Sequence, residues 1–327
     1  MRISEFLSAS LGFIASSLTL GGMFTVWRKH LRLDTPNERS LHSRPIPRGG
    51  GAGIMVGTWV GWAFLPEFPR ILFICSFGLL WLSWLDDKYH LPVVFRLVIQ
   101  SCFVTLFVAS ELNASPLSIL AILAIVWSAN LYNFMDGSDG LAGAMAIVGF
   151  ACYAAAAHHA GERTFSLLNV CIAISAIPFL LVNYSPAKIF MGDAGSVPLG
   201  FLSGALGALG WEKGLWPFWV PLLVFAPFIA DTSITLIKRM VAGEKFWLPH
   251  RKHYYQRILQ MGAGHRKTFF VEFALMVACG GSALVALVMP QGTQYLLLAA
   301  WLAAFAILAA IVDQRWKRHT DALSEVR

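Results

Sequence analysis

The chain has 327 residues, of which 57% are hydrophobic and 13% charged, with a formal net charge of +7. A soluble protein carries about 25% charged residues, so this composition excludes an ordinary soluble enzyme and indicates an integral membrane protein. The five cysteines all lie inside apolar runs, without CxxC or Cys/His spacing, which excludes a disulfide framework and a zinc site.

A helix crossing the bilayer core needs about 20 apolar residues. In chain order, eleven runs qualify or come close: 4–27, 51–66, 69–85, 92–112, 117–135, 140–157, 165–184, 195–211, 215–237, 268–289 and 294–314. The first is too long for the apolar core of a signal peptide, so it is read as a span. The second, sixth and eighth are short or rich in glycine. Because the runs are continuously apolar rather than alternating, they predict helices and not a barrel. The expected fold is an all-α polytopic membrane protein with about eleven transmembrane helices. It forms one domain over 1–327, with long loops at about 28–50 and 238–267.

Lys and Arg give the orientation. One set of loops (28–50, 86–91, 136–139, 185–194, 238–267 and the tail after 314) holds 20 of the 25, and the opposite set holds 4. Cytoplasmic loops carry the excess of Lys and Arg, so the first set is expected in the cytoplasm, with the C-terminus on that side and the N-terminus on the opposite one. This asymmetry accounts for the net +7 without nucleic acid. Anionic lipid headgroups or an anionic substrate would benefit from it.

Polar residues near a bilayer are costly and therefore informative. Asp86 and Asp87 end the third run. Asn130, Asn133, Asp136 and Asp139 mark the end of the fifth in "NLYNFMDGSDGL". Asn183 ends the seventh, and Asp193 opens the eighth in "NYSPAKIFMGDAGS". All fall on the face assigned as cytoplasmic. Clustered carboxylates repel unless a cation or proton lies among them, and an oxygen-rich set of this kind suits Mg²⁺, or Mn²⁺. "RPIPRGGG" (44–51) offers Arg44, Arg48 and glycine N–H groups to phosphate. "PHRKHYYQR" (249–257) offers Arg251, His253 and Arg257 as a diphosphate clamp. Asp231, inside the ninth run, is either catalytic or a buried partner of Lys238 or Arg239. Acids, metal and cations together describe phosphoryl transfer between a water-soluble donor and a lipid-borne acceptor. An EF-hand starting at Asp136 fails at Gly140 and Ile147.

Six blocks in order, "RPIPRGGG", "LDDKYHL", "NLYNFMDGSDGL", "NYSPAKIFMGDAGS", "DTSITLIKR" and "PHRKHYYQR", resemble the polyprenyl-phosphate N-acetylhexosamine-1-phosphate transferases. The resemblance implies that a UDP-N-acetylhexosamine and undecaprenyl phosphate give undecaprenyl-diphospho-sugar and UMP, with Mg²⁺. It implies Asp193 as the principal metal ligand, with Asn133 and Asp87 beside the metal, and Asp86 as the base for the lipid phosphate. Asp136, Asp139 and Asn183 would shape the nucleotide pocket, Arg48 and Lys188 would bind substrate, and Arg251 and His253 would close over the donor diphosphate. In the last loop His250 precedes Arg251, and Tyr254, Tyr255 and Gln256 stand where related branches carry histidines. That pattern resembles the O-antigen-initiating subgroup, which uses UDP-GlcNAc, UDP-FucNAc or UDP-QuiNAc. Membrane lipid is a further partner, and a homodimer is compatible with the reading.

Two other classes compete. An intramembrane aspartyl protease would want Gly where Phe190 stands, and an ion-coupled transporter would need a polar path rather than a one-sided site.

Overall fold

The computed structural model describes residues 3–27, 31–36, 44–245, 248 and 250–325. Parts of the two long loops, at 28–30, 37–43, 246–247 and 249, lie outside the described residues. The fold is helical: α1 (Ile3–Thr25), α2 (Gly51–Trp62), α3 (Arg70–Tyr89), α4 (Val93–Glu111), α5 (Leu117–Phe134), α6 (Leu141–His159), α7 (Arg163–Asn183), α8 (Asp193–Glu212), α9 (Trp219–Val224), α10 (Ala226–Val241), α11 (Tyr254–Ile258), α12 (Gly264–Ala286) and α13 (Gln291–Glu325). A π-helical turn, Leu259–Ala263, joins α11 to α12.

Each of the eleven apolar runs is helical. Among the described residues, seven helices are long and apolar enough to cross a membrane: α1, α4, α5, α6, α7, the α11–α12 segment and α13. The others fall short for separate reasons. At about 1.5 Å per residue, the 12 residues of α2 reach about 18 Å. The last two turns of α3 carry Asp86, Asp87 and Lys88. The ninth run breaks at Phe225 into α9 and α10, because Pro227 has no N–H to bond back to Leu223. Helix α8 is rich in Gly and Ser and is buried along almost its whole length. It is packed by α2, α3, α5 and α6 rather than by lipid, so small residues that admit neighbouring helices serve it better than bulky apolar ones.

One departure from an all-α chain carries weight for the site. Strands β1 (Leu33–Asp34) and β2 (Ile46–Pro47) form an antiparallel ribbon pairing Leu33 with Pro47 and Asp34 with Ile46. The chain after β2 then pairs with the loop before α8. Phe190 N–H donates to Pro47 O (2.8 Å), while Gly49 and Gly50 donate to Phe190 O and Gly51 to Met191 O (2.9–3.1 Å). Gly51 meets Gly195 so closely that a Cβ on Gly51 would lie 2.3 Å from the Gly195 Cα. This glycine contact joins the starts of α2 and α8.

At the other edge, α13 runs 35 residues, about 52 Å at 1.5 Å per residue, well beyond the roughly 30 Å of a bilayer core. Its far end packs on α11.

Candidate active site

The polar cluster gathers where α3, α5 and α7 end and α2 and α8 begin. Gly192, at φ +72°, turns the chain into α8 in a conformation that glycine adopts without strain. Asp193 is therefore the first residue of a helix, where the positive end of the peptide dipoles favours a carboxylate. Asn133, in the last turn of α5, accepts a 2.6 Å hydrogen bond from Ser196 Oγ and bonds the Asp193 carboxylate through the same side chain. Asp87, at the end of α3, lies within electrostatic reach of Asp193 and Arg48. Asp136 follows α5 and accepts from the Gly192 N–H at 3.1 Å. Burial, then the neighbouring Asp193 carboxylate, push Asp136 up to about 7, against the opposing pull of Arg48 and the Gly192 N–H.

Three carboxylates, Asp87, Asp136 and Asp193, thus share the field of one guanidinium, Arg48. Arg48 is itself fixed by Asp34 of β1, with Nη2 donating to Oδ2 at 2.9 Å. Among the described residues, no three His, Cys, Asp or Glu side chains enclose a metal site by themselves. Asp193, Asp87 and Asn133, the residues expected to meet a metal, all lie at this cluster.

A groove of about 330 Å³ leads away from the cluster between α3, α4, α5, α8 and α10. Asp86, Arg96, Asn133 and Asp193 line its polar end, and Leu97, Leu123, Trp127 and Leu236 its apolar length. Leu97 and Leu123 are exposed on the outer surface, so the groove opens on the side that faces lipid.

Several expected site residues have other partners. Asp86 is ion-paired with Arg96 of α4 and accepts from the Leu91 N–H at 2.9 Å. The residue expected to act as base is thus one half of a fixed charge pair. Asp139 is buried, not displayed at the mouth, and its Oδ2 accepts from the Ala187 N–H at 3.1 Å. Asn183 is also buried: its Oδ1 accepts from Gly140 N–H and its Nδ2 donates to Ile189 O, both at 2.8 Å. These two side chains tie the α5–α6 turn to the loop before α8, because a buried polar group must find partners. They build the wall of the site. The glycine N–H groups of "RPIPRGGG" do not form a phosphate cradle, since Gly49, Gly50 and Gly51 donate to Phe190 and Met191.

The basic loop departs furthest from expectation. His253 is 2% exposed, its Nδ1 lying 3.1 Å from Asp231 Oδ1 and its ring stacked with Phe134, His250 and Tyr255. Arg257 pairs with Asp313 of α13 at 2.8 Å, and Lys252 pairs with Glu244. Arg251, half-buried, is the cation of this loop whose side chain makes no ion pair among the described residues. Lys188 is exposed on the loop before α8, away from the groove lining. Asp231 is not the partner of Lys238 or Arg239; its carboxylate is engaged by Thr235, His253, Tyr254 and Tyr255.

Sequence reasoning missed Asp34, Ser196 and Asp313, which are ordinary polar residues with no distinguishing spacing. Arg96 carried a usable signal, because a lone cation inside an apolar run needs a partner.

Comparison with known proteins agrees with this architecture. The model of glycosyl transferase family 4 matches residues 69–210, the stretch from α3 to α8 that carries the acid cluster. A probable undecaprenyl-phosphate N-acetylglucosaminyl 1-phosphate transferase of Bacillus subtilis (strain 168) is 28% identical over 77% of this chain and 76% of its own. An undecaprenyl-phosphate alpha-N-acetylglucosaminyl 1-phosphate transferase of Yersinia pestis is 26% identical over 87% of this chain and 85% of its own. A decaprenyl-phosphate N-acetylglucosaminephosphotransferase of Mycolicibacterium smegmatis is 27% identical over 73% and 71%. A helical membrane protein with a carboxylate cluster at the shared end of its helices is the class defined by fold and site. Within it, the chain is similar to the polyprenyl-phosphate N-acetylglucosamine-1-phosphate transferases.

Proposed function

We propose that this protein transfers N-acetylglucosamine 1-phosphate from UDP-GlcNAc to undecaprenyl phosphate, releasing UMP. The observation that carries this reading is the groove: an apolar channel open to lipid that ends on Arg96, Asn133 and Asp193. It suits an acceptor with a prenyl tail and a phosphate head. The relatives, transferases of N-acetylglucosamine phosphate named for undecaprenyl or decaprenyl phosphate, support the same acceptor and sugar classes.

The donor set fits a divalent cation. Two carboxylates, Asp87 and Asp193, with the amide of Asn133 form the hard-oxygen shell that Mg²⁺ uses when substrate phosphates and water complete its coordination. The excess of carboxylate over Arg48 gives that cation an electrostatic reason to bind. When bound, Mg²⁺ or Mn²⁺ would neutralise charge on the donor diphosphate. Arg96 receives the lipid phosphate at the mouth of the groove, and Asp86 holds Arg96 in place. Asp87, next in sequence and facing the cluster, takes over from Asp86 the task of accepting the proton of the lipid phosphate. A lipid phosphate oxygen then attacks the sugar-linked phosphorus. The bond from that phosphorus to the bridging oxygen breaks, and UMP leaves with the electron pair. Arg251 faces the donor diphosphate, and Arg48 offsets charge at the cluster.

The reading includes eleven crossings of the bacterial inner membrane, the N-terminus outside and the site on the cytoplasmic face. Purified protein with Mg²⁺, UDP-GlcNAc and undecaprenyl phosphate should release UMP and form the diphospholipid, identified by mass spectrometry. Absence of UMP would overturn the reading. Parallel reactions with UDP-FucNAc and UDP-QuiNAc test the O-antigen-type donors suggested by the tyrosines of the last loop.

A further inference from the structure

Asp231 stands on α10 beneath the basic loop. Its Oδ1 accepts from the Tyr254 N–H at 2.9 Å and from Thr235 Oγ1 at 3.3 Å, and lies 3.1 Å from His253 Nδ1. Its Oδ2 accepts from the Tyr255 N–H at 2.9 Å. The carboxylate therefore caps the start of α11 from another helix, satisfying two of the N–H groups that a helix start leaves unpaired. It also lies against the His253 ring, whose side chain accepts from the Gln256 N–H in a capping box at the same helix start.

This cap decides where the loop goes. With α11 started at Tyr254, the Tyr255 hydroxyl donates to Phe134 O at 3.1 Å. A Cβ on Gly137 would lie 2.1 Å from that hydroxyl, so the glycine leaves room for the tyrosine. His253 stacks on Phe134. The loop is thus docked on the turn that carries Asp136, and Arg251 lies two residues before the docked ring. Asp231 is buried, at 8% exposure, and it does not line the groove. It reaches the chemistry only through the loop.

We propose that Asp231 is a positioning residue of the transfer reaction, holding the basic loop so that Arg251 meets the donor diphosphate. The inference rests on the reaction proposed above for its donor, and the loop order it asserts is measurable apart from turnover.

Asp231→Asn keeps the shape, but its NH₂ can only donate, so it would face a backbone N–H donor instead of accepting from it. The donor KM for UDP-GlcNAc should rise about 10- to 100-fold, the range expected for losing charge-assisted hydrogen bonds. The KM for undecaprenyl phosphate should stay unchanged. Because Asp231 acts through Arg251, the double variant Asp231→Asn/Arg251→Ala should be no worse than Arg251→Ala alone. Additive losses, or equal rises in both KM values, would overturn the proposal. Limited trypsinolysis gives the second readout. The variant should be cut after Arg251 and Lys252 at least tenfold faster than wild type, while cleavage elsewhere is unchanged. An unaltered loop cleavage rate sinks the proposal even if the donor proves to be a different nucleotide sugar. Conversely, fast loop cleavage in a protein inactive with every UDP-sugar would retain the loop anchor and reject the reaction. If Asp231→Asn does not accumulate, His253→Ala removes one partner of the same carboxylate and should move both readouts in the same direction, by less.

Discussion

The two halves of the site are built by opposite means. The acidic half is backbone geometry: Asp193 is placed by the glycine turn into α8, by the Gly51–Gly195 contact and by the pairing of residues 47–51 with 190–191. The basic half is held by side chains, with Asp231 under the loop and Asp313 beside it. A scaffold of helix starts in glycine contact has little freedom to move. A loop held by two carboxylates can be released by changing either one. The difference assigns the acids to a fixed centre and the basic loop to an adjustable cover.

The comparison breaks most directly at Asp193. Asp193→Asn should lower kcat about 1000-fold, the loss typical of removing a principal electrostatic group at a phosphoryl centre, with unchanged elution on size exclusion. UMP release under saturating substrates measures it; retention of even a tenth of the activity would deny the acid centre its role. Next comes Gly195→Ala. An added methyl must displace the Gly51 backbone, and overpacking of this kind costs about 1–3 kcal/mol. Thermal unfolding in detergent should show a lowered midpoint, and activity should fall with it, whereas Gly281→Ala, where a Cβ meets open space, should change neither.

The pH profile separates the halves more finely. Asp136 sits at about 7, so it is charged above that pH and neutral below it. Cation binding needs the charged form, so kcat/KM at subsaturating Mg²⁺ should fall by up to about tenfold per unit below pH 7. Asp136→Asn should flatten that acidic limb. His250 belongs to the other half, and burial, then His253, Arg239 and Lys252, hold it down at about 3. It is neutral through the same range, so His250→Gln should leave the limb in place. The smallest effect is expected at Asp313→Ala, which frees Lys238 and Arg257 at the exposed edge of the loop. Partly exposed pairs contribute about 0.2–1 kcal/mol each, so the donor KM should rise only a few-fold, and the rise should shrink at high salt in wild-type and variant comparisons.

How much was readable beforehand follows from what each residue must satisfy. Eleven apolar runs could be read because lipid penalises any unpaired backbone group, so continuous apolarity and helix go together. The face of the site could be read because Asp86, Asp87, Asn133, Asp136 and Asp193 all fall at run ends on the same side. Their roles could not. Asp86 and Asp87 are neighbours of the same type, yet one turns to Arg96 and Leu91 and the other to the cluster. Asp136 and Asp139 share a turn, yet only the second is tied to Ala187. "HRKHYYQR" holds five basic residues, but Asp231, Glu244 and Asp313, which lie 20, 7 and 62 residues from Arg251 in sequence, engage three of them: His253, Lys252 and Arg257.

The sequence by itself therefore determined the solvent of each segment and the end of the molecule at which chemistry gathers, because transfer free energy is a local property of residue type. The tertiary structure alone decided which carboxylates are occupied by hydrogen bonds and which remain for a substrate. That choice depends on partners brought within about 3 Å by helix packing, as when the glycines of α2 and α8 meet and when α10 and α13 grip the loop between them.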